Sequence, residues 1–308
     1  MKHLELAKKL ETISAINLTP FYKDTKEIDW NSLKANIDFL IANGTEVIVP
    51  CGNTGEFYAL TLDEVKEVTE KVVDYVDGKA VVMAGIGYSV PTAIELGKAA
   101  KNAGTDCVMI HQPIHPYVTD SGAVSYFKEI ITNIDLPVVL YFKDPNLSDD
   151  ILIDLAPLEN LVGVKYAIND LPRFTKTVRE YPRKDGITWI CGSAEKWAPY
   201  FYHAGATGFT SGLINIAPEK SFLMLEALKN DDHETVWRVW EDTLPFEELR
   251  AKNNNGNNVI VIKEALERIS FTAGVTREPV DALSAEDRQG LENILSGWGL
   301  LRTGVETV

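Results

Sequence analysis

The feature that most constrains the fold is a repeated alternation of short apolar runs with segments of helical spacing. Eight such runs begin roughly 21 to 35 residues apart, which is the length of a βα unit. The predicted strands are Thr12–Ile16, Val47–Pro50, Ala80–Gly85, Cys107–Ile110, Pro137–Tyr141, Leu161–Lys165, Ile187–Cys191 and Gly208–Ser211. The runs are continuously apolar, as expected for parallel strands that are covered on both faces. The sequence therefore predicts an α/β fold of the (β/α)₈ or TIM barrel type.

Local signals place several of the intervening helices. Thr61 with Glu64 forms a capping box, after which apolar residues recur at helical spacing. Ser148, followed by two aspartates, is a further candidate N-cap. These signals predict helix starts near residues 62 and 149.

The pattern changes after the eighth run, because helical stretches now follow one another with no strand between them. They are predicted at Pro218–Leu228, His233–Leu249 and Val259–Phe271, with a last helix from Ser284. We therefore predict a catalytic barrel over residues 1–215 and a helical extension, residues 216–308, packed on it. The Asn-rich stretch Lys252–Asn258 is predicted to be an ordinary turn between helices without a function of its own.

Composition excludes several classes of partner. With 30 Lys and Arg against 45 Asp and Glu, the formal charge is −15, which opposes binding to nucleic acid or to an anionic membrane. No apolar run approaches the roughly 20 residues of a membrane span, and the first residues do not resemble a signal peptide. The three cysteines lie far apart, which suits a reducing cytoplasm. We expect a cytoplasmic protein with no nucleic-acid or membrane partner.

Active sites of parallel barrels lie where the strands end at their carboxyl side, and Lys165 ends the sixth predicted strand. A free lysine is neutral in only about one molecule in 2,500 at pH 7. Desolvation lowers the pKa of a lysine and yields an amine that can attack a carbonyl group to form a Schiff base. The alternative is a side chain that extends to solvent. Lys165 is the candidate nucleophile.

Neighbouring strand ends supply further candidates. Tyr141 ends the fifth strand, where its phenol could relay protons to and from Lys165. The turn Gly52-Asn53-Thr54-Gly55 follows the second strand and could hold a carboxylate through backbone amides and side chains.

Candidate residues also lie at the ends of the last two predicted strands, and two histidines follow the fourth. Gly192 and Thr210, at the ends of strands seven and eight, are predicted to contact the substrate. His111 and His115 lie in a loop interrupted by prolines, without accompanying carboxylates, so no metal site is predicted.

Together these elements resemble the dihydrodipicolinate synthase / N-acetylneuraminate lyase superfamily of Schiff-base aldolases. The resemblance spans nearly the whole chain and rests on Leu18–Phe21, Gly52–Glu56, Tyr141, Gly163–Lys165, Gly205–Gly208 and Thr276–Pro279. It implies a cofactor-free lyase that binds pyruvate or a related 2-oxo acid covalently at Lys165. Tyr141 would move protons, and the Gly52–Thr54 turn would hold the carboxylate. A homodimer or homotetramer is also implied by the resemblance.

The resemblance also shows where this sequence departs from the lysine-pathway synthase. Asn53 stands at the first of that enzyme's two threonines, and its second relay tyrosine falls at His115. No arginine follows Tyr141, where Lys143 is the only nearby cation, a point charge without the bidentate fork of arginine. The stretches Glu56–Leu60 and Asn160–Lys165 are closer to 5-keto-4-deoxyglucarate dehydratase and related enzymes of 2-keto-3-deoxy sugar acids.

Three functions follow as hypotheses. The first is a 2-keto-3-deoxy sugar-acid dehydratase or aldolase. The second is 4-hydroxy-tetrahydrodipicolinate synthase, which condenses pyruvate with aspartate semialdehyde in lysine biosynthesis. The third, from another class, is a non-catalytic 2-oxo acid binding protein or sensor on the same barrel.

Overall fold

The computed structural model describes residues 2–182 and 185–301 and contains the predicted parallel barrel. Its strands are β1 (Ile13–Ala15), β2 (Val47–Ile48), β3 (Val81–Ile86), β4 (Cys107–Ile110), β5 (Val138–Phe142), β6 (Leu161–Tyr166), β7 (Thr188–Cys191) and β8 (Gly208–Ser211). Each strand pairs with the next in parallel, and β8 pairs with β1 to close the barrel. The (β/α)₈ prediction is therefore confirmed.

Helices alternate with these strands and then continue alone. They are α1 (Lys2–Lys9), α2 (Trp30–Ala42), α3 (Leu62–Val76), α4 (Val90–Ala103), α5 (Asp120–Asn133), α6 (Asp150–Leu155), α7 (Leu171–Glu180), α8 (Ala194–Ala204), α9 (Pro218–Lys229), α10 (His233–Asn255), α11 (Asn258–Arg268) and α12 (Ala285–Gly297). Short 3₁₀ helices cover Phe57–Ala59 and Leu213–Asn215. No helix of the described ranges has both the length and the apolar character needed to cross a membrane.

The helix-start signals give a mixed outcome. The capping box at Thr61 and Glu64 is present, and Ser284 caps α12 by accepting from the backbone N–H of Asp287. Ser148 accepts from the N–H of Asp150, but the N-cap position of α6 is Asp149, one residue later than predicted. The hydroxyl of Ser148 therefore stabilises the turn just before α6 and does not cap the helix.

Two layers of apolar side chains hold the barrel. Inside it, residues such as Val49, Met83 and Met109 form one cluster. Leu6 and Leu10, near the first residues of the chain, belong to the same cluster. A larger cluster fills the space between the strands and the outer helices. Because the interior is filled, the barrel is a packed core, and only its carboxyl end remains available for a site.

The helices after β8 fall into two groups. Met224 and Leu225 of α9 belong to the cluster between strands and outer helices, so α9 packs as the outer helix of the eighth βα unit. A separate cluster contains Phe246 of α10 and residues of α11 and α12, together with Leu18 and Leu213 from the barrel part of the chain. The division at residue 216 stays a prediction, and residues 302–308 of the predicted extension lie outside the described residues.

A buried ion pair joins the extension to the barrel. Lys263 of α11 is fully buried, and its Nζ lies 2.6 Å from Oε1 of Glu56, which is 3% exposed. The same ammonium donates to the carbonyl oxygens of Thr19 and Val275. The backbone N–H of Arg277 donates to the other oxygen of Glu56. This network fixes the chain just after the turn that follows β2.

We expect Lys263→Met to lower the free energy of unfolding by about 3–5 kcal/mol, because it leaves the Glu56 carboxylate buried without its counter-charge. Lys34→Met is the matched control, since Lys34 pairs with Asp38 on the surface and both are more than half exposed. There the expected change is below about 1 kcal/mol. Urea denaturation followed by circular dichroism measures both. Equal midpoints for the two variants would contradict the structural role of the buried pair.

Candidate active site

A cavity of about 490 Å³ opens at the carboxyl end of the barrel. It is lined by seven of the residues predicted from the sequence, namely Asn53, Thr54, Tyr141, Lys143, Lys165, Gly192 and Thr210. They come from five different strand ends or the turns that follow them. The parallel topology brings them together, because all these strands end at the same face.

Lys165 lies at the base of this cavity. Its side chain is 3% exposed, and within the described residues no carboxylate lies within 4 Å of its ammonium. Burial, with a further contribution from the charge of Lys143, lowers the pKa of Lys165 to about 7. About half of the molecules then carry a neutral amine near pH 7. The cavity therefore presents a nucleophilic nitrogen.

Space for this side chain depends on Gly192. A Cβ atom at Gly192 would stand 3.1 Å from Cγ of Lys165 and 2.7 Å from Cβ of Ala167. The second distance is shorter than such atoms tolerate. Glycine at the end of β7 thus lets the chain pass close to Lys165 while the Lys165 stem keeps its position.

Tyr141 pairs directly with Lys165 across the β5–β6 ladder. The Nζ of Lys165 lies 4.0 Å from the centroid of the Tyr141 ring. The side-chain amide of Asn53 donates to the Tyr141 hydroxyl at 3.2 Å, which leaves the phenolic proton free to point elsewhere. Burial raises the pKa of Tyr141 to about 12, and the Asn53 hydrogen bond opposes this rise. The phenol is thus neutral and can donate and accept a proton beside the amine.

The turn after β2 offers unpaired hydrogen-bond groups. Neither the N–H of Asn53 nor that of Thr54 donates a hydrogen bond within residues 2–182 and 185–301. The Asn53 side-chain oxygen is buried and also lacks a partner there. Convergent free N–H groups in a tight turn bind anions, and a carboxylate fits them.

The cavity wall does not include every predicted residue. Gly52 is buried beneath the turn, where a Cβ atom would meet Ile16 at 2.6 Å, so its role is to allow close packing. His115 lies in the exposed loop after β4, where its Nδ1 interacts with the backbone of Tyr117. The family resemblance predicts a substrate contact at His115, but His115 is not among the residues that line this cavity.

Lys143 and Thr210 both line the cavity but differ in exposure. Lys143 is exposed at the rim, 5.5 Å from the centroid of the Tyr141 ring, and desolvation by surrounding side chains lowers its pKa. Thr210 is buried and its hydroxyl donates to the carbonyl oxygen of Cys191 at 3.4 Å. In the described part of the chain Lys143 has no ion-pair partner, so a charge is available there.

His111 has a structural environment. It is fully buried and stacks on Phe57 with ring centroids 4.2 Å apart, and its Nε2 contacts the carbonyl oxygen of Cys51 at 2.9 Å. Burial lowers the pKa of His111 to about 3, so the ring is neutral. Within the described residues, no group of three or more His, Cys, Asp or Glu side chains could hold a metal ion.

A further part of the cavity wall, called the far wall below, is not predicted from the sequence. It consists of polar residues around the barrel rim and the end of α10, namely Asn169, Ser193, Trp197, Glu247, Arg250, Asn254, Asn255 and Asn258. Three of these belong to the Asn-rich stretch to which no function was assigned. The signal in the sequence was the asparagine run itself, which composition alone does not place beside a cavity.

The arrangement has one evident chemical capability. A buried amine, a neutral phenol and an anion-binding turn converge on one space. Such an amine adds to a ketone carbon and forms an imine after loss of water. A ketone whose neighbouring carbon is a carboxylate would satisfy the amine and the turn together.

Comparison with known sequences agrees with this chemistry. The model of the "Dihydrodipicolinate synthetase family" matches residues 9–297. A protein of Methanoculleus marisnigri named 4-hydroxy-tetrahydrodipicolinate synthase is 32% identical over 288 residues, which are 92% of this chain and 97% of that protein. A Bacillus licheniformis protein named probable 5-dehydro-4-deoxyglucarate dehydratase is 31% identical over 297 residues, covering 94% and 95%.

Solved structures show the same similarity. The crystal structure of dihydrodipicolinate synthase from Oceanobacillus iheyensis superposes with a TM-score of 0.95 at 59% identity, covering 96% of this chain and 99% of that one. The corresponding structure from Bacillus clausii also gives a TM-score of 0.95, at 61% identity, with 96% and 100% covered.

The lowered pKa of Lys165 predicts an unusual pH dependence of its acylation. Because deprotonation exposes the nucleophilic amine, trace acetylation by acetic anhydride should rise with pH, with its midpoint near pH 7. Lys143→Met removes a like charge and should move this midpoint to higher pH. Peptide mass spectrometry quantifies the labelling. The urea-unfolded chain is the control, with a midpoint near 10.4. A folded-state midpoint near 10 would show that the amine is not desolvated.

Proposed function

The chain belongs to the dihydrodipicolinate synthetase family and is thus a lyase, and we propose that it acts on a 2-keto-3-deoxy sugar acid as a dehydratase or aldolase. In this proposal Lys165 forms the Schiff base with the 2-oxo group. The observation that carries it is the buried Lys165 amine, which has a pKa near 7 and lies 4.0 Å from the centroid of the Tyr141 ring.

The proposed chemistry begins with the neutral amine. Lys165 attacks C2 of the substrate, and the resulting carbinolamine loses its oxygen as water to leave a protonated imine. Tyr141 donates and recovers protons in these steps, while Asn53 holds its hydroxyl oxygen. The carboxylate at C1 binds the free N–H groups of Asn53 and Thr54.

The protonated imine then accepts the electrons of the bond that breaks. In a dehydratase, C3 loses a proton, and the hydroxyl group on C4 departs as water. In an aldolase, the C3–C4 bond breaks, and the C4 hydroxyl loses its proton to give an aldehyde. The enamine left on Lys165 then takes a proton at C3 and becomes an imine again. In both cases hydrolysis of the imine returns Lys165 to its free state.

A second candidate is 4-hydroxy-tetrahydrodipicolinate synthase. It is favoured by the names of the relatives from Methanoculleus marisnigri and Oceanobacillus iheyensis. That reaction needs a cation for the carboxylate of aspartate semialdehyde. Arg250 lines the cavity but is engaged by Glu247 at 2.6 Å, which leaves Lys143 for this task. The geometry supports the sugar-acid proposal better, because Arg250 and Glu247 of the far wall pair with each other and its other side chains are uncharged.

We also propose a cytoplasmic homodimer or homotetramer. Ile114 and Tyr117 are 58% and 86% exposed in the loop after β4, and a second copy of the chain would cover this apolar surface. The three cysteines are free and buried, which suits a reducing compartment. Light scattering coupled to size exclusion tests the oligomer, and a monomer at micromolar concentration would contradict it.

Borohydride trapping tests the Schiff base directly. With pyruvate present, reduction should add the mass of the reduced adduct to the peptide that contains Lys165, whereas Lys165→Ala should gain nothing and keep its circular dichroism spectrum. A panel of 2-keto-3-deoxy sugar acids, with product analysis, identifies the reaction. Robust pyruvate-dependent consumption of aspartate semialdehyde would establish the synthase instead. Trapping without any turnover would indicate a binding protein.

Tyr141→Phe tests the proton relay. We expect kcat to fall by about 100- to 10,000-fold, because a positioned acid–base group contributes a factor of that size. Tyr22→Phe, at an exposed tyrosine that does not line the cavity, is the control and should change kcat by less than about twofold. If both variants retain full turnover, the phenol of Tyr141 does not transfer protons.

A further inference from the structure

The Asn-rich stretch forms part of the cavity wall that faces the reacting lysine. Asn254, Asn255 and Asn258 line the same cavity as Lys165, although they lie in the extension and Lys165 lies on β6. Asn254 and Asn255 are exposed, and their side chains make no hydrogen bond with any of the residues that the structure describes. Their amide groups are therefore available to a ligand.

The last residues assigned to α10 are not helical, because Lys252, Asn253 and Asn254 have φ and ψ angles outside the helical region. Asn253, Asn254 and Asn255 have φ values of 56°, 55° and 66°, in the left-handed region that asparagine tolerates better than most residues. The Asn253 amide donates to Asn257 and Asn253 does not line the cavity, whereas Asn254 and Asn255 both do. The left-handed backbone accounts for asparagine or glycine at these three positions. At positions 254 and 255 asparagine, unlike glycine, also adds a polar amide to the cavity wall.

The remaining groups of this wall are neutral or paired. The guanidinium of Arg250 lies 2.6 Å from a Glu247 carboxylate oxygen and donates to Oδ1 of Asn258, so its charge is compensated. The cavity's unpaired cations, Lys165 and Lys143, both lie near the Tyr141 ring on the barrel side. A negative group therefore has its partners on the barrel side of the cavity.

Hydroxyl groups of a substrate are suited to the amide groups on the extension side of the cavity. An amide both donates and accepts, as a hydroxyl does, so one asparagine can satisfy a substrate hydroxyl in either direction. Ser193 and Asn169 extend this polar lining, and Trp197 offers an apolar ring against which carbon–hydrogen groups can pack. The cavity of about 490 Å³ is several times larger than a three-carbon acid requires.

We propose that Asn254, Asn255 and Asn258 form an outer subsite that hydrogen-bonds the hydroxylated tail of the substrate. This inference rests on the proposed function and narrows its substrate class. The substrate is a 2-oxo acid that carries an uncharged chain of hydroxyl-bearing carbons beyond C3, in contrast to one that ends in a second carboxylate. Asn254 and Asn255 set specificity for that chain, and Asn258 also positions Arg250.

The test measures binding of the substrate's hydroxylated tail separately from binding of its 2-oxo acid end. The double variant Asn254→Gly/Asn255→Gly removes both amides, and glycine adopts the left-handed backbone without strain. Asn253→Gly is the matched control, since it alters the same loop at a residue outside the cavity wall. Saturation of borohydride trapping gives the affinity for pyruvate, for a 2-keto-3-deoxy aldonic acid and for its aldaric counterpart with a terminal carboxylate.

The double variant should bind the aldonic acid about 10-fold more weakly, a loss typical of one or two neutral hydrogen bonds. Its affinity for pyruvate should stay within about twofold of the unaltered protein, and the control should match that protein for all three ligands.

Each other outcome overturns a distinct statement. Trapping of pyruvate and aldonic acid with unchanged affinity in the double variant would overturn the outer subsite and leave the Schiff-base proposal intact. Tighter binding of the aldaric acid than of the aldonic acid by the unaltered protein would overturn the uncharged tail. No adduct with any 2-oxo acid would overturn the proposed function and this inference together.

Discussion

The active site rests on one buried amine, that of Lys165, which has no carboxylate partner within residues 2–182 and 185–301. Lowering the pKa of Lys165 from 10.5 to about 7 corresponds to roughly 5 kcal/mol of disfavoured charge. The barrel offsets this cost through its packed interior, in which neighbours such as Val139 and Val162 are fully buried. Gly192 leaves room for the Lys165 side chain because it has no Cβ atom, and the positive charge of Lys143 further lowers the pKa of Lys165.

The other buried cations near the carboxyl end of the barrel have the opposite arrangement. Lys263 is paired with Glu56, and Arg250 with Glu247, at 2.6 Å in both cases. Removing a partner from such a pair would be costly, so these residues serve to hold the extension and the turn after β2 in place. Lys165 differs from them because no carboxylate of the described residues pairs with it. A buried ionisable group with a shifted pKa in a cavity marks a candidate functional site.

The cavity thus has two ends with different chemistry. The barrel end carries the amine, the phenol and the free N–H groups of the turn, which suit the 2-oxo acid common to the family. The far end is built by the extension and the barrel rim from amides, a serine and an indole. Proteins named as a synthase and as a dehydratase are both similar to this chain over more than 90% of its length, so the fold alone does not distinguish the two activities.

The barrel and its reacting end can be predicted from the order of residues along the chain. Apolar runs located all eight strands to within two residues at either end, and the strand ends pointed to Tyr141 and Lys165, because in a parallel barrel position along a strand fixes which face a residue reaches. The remaining features of the site arise from packing in three dimensions. This packing carried His115 into an exposed loop, put Gly52 beneath the turn, paired Glu56 with a lysine more than 200 residues away, and brought the Asn-rich loop over the cavity. These outcomes depend on how loops and the extension pack across long separations in the chain, and local periodicity carries no information about such contacts.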